Sequence, residues 1–159
     1  LSVVASIMGT TAFAEDTRIA LVVKALGIGF FEAAAKGAEE AAAELGGVEI
    51  IYTGPTSTTA EGQIEVINSL IAQGVDAIAV SANDPDALAP ALKKAMSRGI
   101  TVISWDSGVA QEGRQMHLNP SSTPLIGNTI IKLAADHMPM VVMLQFYLLL
   151  QHQPIRMHG

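Results

Sequence analysis

Ile19 to Val23 is an unbroken run of apolar, partly β-branched residues that follows Arg18. A short run with no polar alternate predicts a strand covered on both faces, as in a parallel sheet flanked by helices. Lys24 ends the run, and Gly27 and Gly29 turn the chain into Phe30 and Phe31. From Phe30 to Leu45 the chain is rich in Ala and Glu, which predicts a helix stopped by Gly46-Gly47. Val48 to Tyr52 reads as a second strand. Thr58, with Glu61 three residues on, forms a capping box. Behind it Ile64, Ile67, Leu70 and Ile71 share one helical face that ends at Gly74.

Ala77 to Val80 is a third strand. Asp84 as N-cap and Pro85 at the first helical position open the next helix. Its core face is Leu88, Ala91, Leu92, Ala95 and Met96, and Gly99 stops it. Ile100 to Ser104 is a fourth strand, and Gln115 to Leu118 a short fifth. Ser121 and Ser122, followed by Pro124, open a last helix through Ile126, Ile130 and Leu133. Strand and helix alternate throughout. The expected fold class is therefore α/β, an open parallel sheet with helices on both faces, joined by right-handed βαβ units.

Composition narrows the picture without naming a function. Half of the 159 residues are hydrophobic, and the net charge of −6 leaves no basic footprint for nucleic acid. Cysteine is absent, so disulfides and thiolate metal sites fall away. The first residues are more telling. Leu1 to Met8 is apolar, and Ala12-Phe13-Ala14 ahead of Glu15-Asp16 has the small-x-small shape of a signal-peptidase site. The expectation is a partial signal peptide over 1–14, export to the periplasm, a folded lobe over 15–138 and an anomalous tail over 139–159.

Ligands of open α/β sheets sit outside the carboxyl ends of the strands. Each strand here hands over to a polar or aromatic group at that end. The first gives Lys24, then Phe30 and Phe31; the third gives Ser81 and Asn83; the fourth gives Trp105 and Asp106. Asn119 follows the fifth. A cation, a carboxylate, amides and stacking rings suit a small polyhydroxylated ligand, whose hydroxyls need directional partners and whose C–H faces lie on aromatic rings. Lys24 and Asp106 could also pair with each other. Each residue has a plainer use as well. A lysine at a strand end can be merely solvated, Asp106-Ser107-Gly108 is a turn sequence, and Asn83 can shape the turn before its helix. Phe30 and Phe31 could both be core, but if Phe31 begins the buried face of its helix, Phe30 looks outward. Trp105 could pack under the sheet edge.

Other chemistries fail on the residues themselves. Gly27-Ile-Gly29 opens like a dinucleotide fingerprint, but Glu32 stands at the third glycine position. The second strand ends in Tyr52-Thr53-Gly54, with no carboxylate for a ribose. The four histidines lack metal-ligand spacing, and neither a Gly-x-Ser-x-Gly elbow nor a phosphate loop with lysine occurs. No catalytic residue, cofactor or metal is expected.

Four segments together carry a resemblance. Val23-Lys24-Ala-Leu-Gly27-Ile-Gly29-Phe30-Phe31, Tyr52-Thr-Gly54-Pro55-Thr56, Val80-Ser81-Ala-Asn83-Asp-Pro85 and Ser104-Trp105-Asp106-Ser107 are similar to segments of type I periplasmic sugar-binding proteins of ABC transporters. Arg18 to about His137 resembles their N-terminal lobe, nearest to the rhamnose-binding and autoinducer-2-binding branch. The resemblance implies a Rossmann-like lobe in which the positions of Lys24 and Asp106 contact ligand, while that of Phe30 matches a stacking aromatic in ribose-type relatives. It further implies a second lobe that closes over a monosaccharide, and a membrane permease as partner. Sugar-responsive repressors share the fold but carry a DNA-binding segment where this chain has its signal-like one.

After Met138 the family pattern breaks. Met140 to Leu150 is apolar yet too short to span a membrane, so a buried final strand is the plain reading. Back-translating from Pro139 with chosen synonymous codons and shifting the frame by one base gives DGGDVAILSAAATSTNQNAW. That string has the Gly-rich turn and apolar strand of a crossover into a second lobe. The expectation is a one-base loss that replaced the second lobe, leaving half a clamp with impaired binding and an aggregation-prone tail.

Overall fold

The run after Arg18 forms β1 (Thr17–Val22), whose last three residues are buried. It is a central strand, parallel to β2 (Val48–Thr53) on one side and to β3 (Ala77–Val80) on the other. β4 (Thr101–Trp105) pairs with β3, and β5 (Met116–Leu118) with β4. The resulting five-stranded sheet runs β2-β1-β3-β4-β5, with every pairing parallel. These relations come from a computed structural model that describes residues 16–138. The signal-like segment and the tail after Met138 lie outside the described residues.

Strand order decides where a ligand can sit. From β1 the chain steps outward to β2, then crosses back over β1 to reach β3. Right-handed crossovers then put α1 (Gly29–Leu45) on one face and α2 (Ala60–Gln73) with α3 (Pro85–Ser97) on the other. The buried clusters follow that division. Leu21 and Ala79 meet Ala35 of α1, while Val22, Ile78 and Val102 meet Ile67 of α2 and Leu88 and Leu92 of α3. The direction of travel reverses between β1 and β3, which makes their carboxyl ends the topological switch point of the sheet.

Helix ends follow their predicted signals with one shift. The N-cap of α2 is Thr59, not Thr58: its Oγ1 accepts the Gly62 N–H at 3.2 Å. Asp84 caps α3 as expected, its Oδ1 accepting from the backbone of Asp86 and Ala87 at 2.9 and 2.8 Å. Gly74 closes α2 in the left-handed region at φ +67, where a glycine carries no Cβ penalty.

The chain divides into two units, Leu1–Leu118 and Asn119–Gly159. The sheet and α1 to α3 belong to the first. In the second, the described residues form α4 (Thr123–His137), capped by Ser122 Oγ, which accepts the Leu125 N–H at 3.3 Å. None of its residues is buried. No described helix is long and apolar enough to cross a membrane.

Candidate functional site

Lys24 stands just past β1, Ser81 just past β3 and Asp106 just past β4. The register pairs Val22 with Val80 and Val80 with Ser104, so the three strand ends are level. The loops beyond them are tied together. Ser81 N–H donates to Val22 O at 3.0 Å, and Ala82 N–H to Ser107 O at 3.0 Å. Residues remote in sequence therefore meet on one edge, across the switch point.

Asp106 adopts φ +56, a left-handed conformation that aspartate tolerates better than most side chains. Its Oδ2 accepts the Ser81 hydroxyl at 2.7 Å and, more loosely, that of Ser107 at 3.5 Å. Ser81 is fully buried, so it lies beneath the rim and orients the carboxylate from below. The Lys24–Asp106 ion pair that the sequence allowed is not formed. Ion pairs among the described residues join Arg18 to Glu49, Lys36 to Glu40 and Lys132 to Asp136. Lys24 is half-buried at the rim with its ammonium outside those pairs.

The two phenylalanines are not both core. Phe31 is buried at 4% exposure and Phe30 is 58% exposed. Trp105 joins both: its ring stacks on Phe30 with centroids 6.2 Å apart and 23° between planes, and meets Phe31 edge-on at 5.7 Å. The result is an aromatic shelf at the rim with Phe30 outermost. The Trp105 Nε1–H is buried and finds no acceptor among the described residues.

Asn83 shapes the lip through its side chain. Its Nδ2 donates to the carbonyls of Lys24 at 2.9 Å and Thr59 at 3.1 Å. Asn119 is exposed and is the first residue of the second unit. Two residues outside the predicted set belong to the first unit's edge. Gln63 is fully buried on α2, with its amide directed at the ends of β1 and β3. The only sequence signal was an amide on the stripe that continues through Ile67, Leu70 and Ile71. His117 Nδ1 hydrogen-bonds the buried Ser104 hydroxyl at 2.9 Å, linking β5 to β4.

The residues that broke the dinucleotide fingerprint are partners of each other. Glu32 Oε1 accepts the Gly27 N–H at 3.2 Å and the Tyr52 hydroxyl at 3.1 Å. It closes the β1–α1 turn where that fingerprint would need a glycine. Burial, reinforced by the Glu32 carboxylate that accepts its proton, raises Tyr52 above its ordinary value of 10.0. Among the described residues no cluster of His, Cys, Asp and Glu could hold a metal ion.

Known proteins resemble this chain in sequence and fold. The D-ribose/D-allose-binding protein of Pseudomonas aeruginosa is 36% identical over 97 residues, covering 58% of this chain and 30% of that protein. An ABC transporter solute-binding protein of Clostridium phytofermentas with bound L-rhamnose superposes with a TM-score of 0.72 at 36% identity, covering 78% of this chain and 38% of that one. The LsrB protein of Clostridium saccharobutylicum in complex with AI-2 gives the same TM-score of 0.72 at 31% identity, covering 75% and 36%. The chain thus spans about a third of the length of these relatives. Residues 19–155 match the family model described as the periplasmic binding protein domain, and the chain belongs to that family.

Proposed function

We propose that the rim binds a monosaccharide and that the chain is the N-terminal lobe of the solute-binding component of an ABC sugar importer. One observation carries this reading. A half-buried lysine, a pinned carboxylate and an aromatic shelf with Phe30 exposed share the carboxyl edge at the switch point of the sheet. A sugar hydroxyl can accept from Lys24 and donate to Asp106, whose Oδ1 is left over by the Ser81 contact. The C–H face of the ring lies against Phe30. Periplasmic residence and a membrane permease as partner follow from the same reading.

L-Rhamnose is the favoured ligand. The shifted-frame string ends its strand in Asn-Gln-Asn, whereas the signal-binding branch resembled places a carboxylate beside that glutamine. The rhamnose-bound relative is also the more similar, at 36% identity against 31% for the AI-2 complex. AI-2 is the alternative, and presentation of a sugar to a membrane receptor is a further role for the same lobe. An edge alone covers one side of a sugar, so the 159-residue chain binds weakly and a frame-restored, two-lobed chain binds tightly.

Calorimetry with L-rhamnose, AI-2, D-ribose and D-allose on both chains tests this. Binding by the frame-restored chain that is lost in Asp106→Ala and Lys24→Met is the expected result. Each substitution should weaken affinity at least tenfold, because a buried charge-assisted hydrogen bond is removed. Tight rhamnose binding by the 159-residue chain would refute the half-clamp, and binding indifferent to both substitutions would refute the site.

A further inference from the structure

Gln63 projects from α2 into the seam between β1 and β3, at the switch point itself. Its Nε2 donates to Val23 O at 3.0 Å and to Ser81 O at 2.7 Å, and its Oε1 accepts the Asn83 N–H at 2.7 Å. Two carbonyls on one side and an N–H on the other leave the amide one orientation. The acceptors are not arbitrary. Val23 immediately precedes Lys24, and Ser81 is the residue whose hydroxyl pins Asp106. Asn83, held through its N–H, in turn binds the Lys24 carbonyl. A single buried amide is therefore bonded to the backbone behind both charged groups of the rim.

We infer that Gln63 is a positioning residue that sets the spacing of Lys24 and Asp106 for the ligand. The inference rests on the sugar-binding reading of that rim. The register of β1 and β3 ends at the Val22–Val80 pair, and past the Ser81 N–H bond to Val22 O the two loops rely on side-chain bracing, part of which is the Asn83 bond to Lys24 O. Gln63 adds to it with both N–H groups. A residue that only filled the core would be apolar here, like its stripe neighbours Ile67, Leu70 and Ile71, because a buried amide carries a desolvation cost that apolar packing avoids.

The test is NMR titration of the 159-residue chain at 20 °C with L-rhamnose, D-ribose and D-allose, each at a fixed concentration below saturation. In that regime the induced shifts at Lys24, Asp106 and the Trp105 indole scale with affinity. Gln63→Met keeps the length and removes the hydrogen bonds; its induced shifts are expected to fall at least fivefold while the melting curve shows a folded chain. Gln63→Glu sets a carboxylate against two carbonyls at pH 7, but its neutral acid regains one donor. Its response, divided by that of the unchanged chain at the same pH, should recover at least threefold by pH 5. A folded variant whose response equals that of the unchanged chain overturns the positioning role and leaves the sugar site standing. No response to any of the three sugars in the unchanged chain overturns the sugar site, and the positioning role with it.

Discussion

Tyr52 and Glu32 illustrate what a single side chain contributes at this edge. The phenol donates to a carboxylate that already holds the β1–α1 turn through Gly27, so the neutral phenol is the form the fold favours. Its value is raised above 10.0, which fixes the sign of the pH effect. The contribution is fully present below about pH 10 and is lost as pH climbs through the higher folded value, because the unfolded chain surrenders its proton first. Tyr52→Phe should therefore show a flatter decline of melting temperature than the unchanged chain above about pH 10. Parallel alkaline limbs in the two melting series would contradict it.

Caps and close approaches decide the fit of the elements. Thr59, whose Oγ1 takes the Gly62 N–H, is the α2 cap, so Thr59→Ala should lower urea-unfolding stability by about 1 kcal/mol. Thr58→Ala, one residue earlier, should change it by less than about 0.5 kcal/mol. Gly54, just past β2, approaches β1 so closely that a Cβ would lie 2.8 Å from Val23 Cγ2 and 2.9 Å from Val23 O. Backbone cannot yield as a side-chain tip can. Gly54→Ala should cost about 1–3 kcal/mol in the same unfolding assay. It should also weaken the sugar response, since the strain falls on the residue before Lys24.

Apolar surface left uncovered is the main feature at the scale of the molecule. Leu125, Ile126, Ile130, Ile131 and Leu133 of α4 are 43 to 59% exposed. Met116 and Leu118 of β5 are exposed at 64% and 63%. Soluble monomers seldom leave so many large apolar side chains bare in neighbouring stretches of chain. Light scattering of the 159-residue chain should show mass rising with concentration, and the double substitution Ile126→Glu, Ile130→Glu should lower it. A monodisperse monomer across the range would contradict this. The chain also spans about a third of its relatives' length.

Periodicity and punctuation carried the fold: apolar runs, glycine stops and the Asp84-Pro85 start are local, so strands and helices fell within one or two residues of their reading. Phe30 and Phe31 were legible only in part: both could have been core, and the fold decides that Phe31 is buried and Phe30 exposed. What the sequence could not carry was pairing between distant residues. The order β2-β1-β3-β4-β5, the Ser81 hydroxyl on Asp106 in place of a Lys24 partner, and the Gln63 amide between two strand ends all depend on segments 18 to 40 residues apart meeting in space. Chain statistics register a buried glutamine only as a polar interruption of an apolar face. Its meaning appears once the two carbonyls it satisfies are brought to the same place.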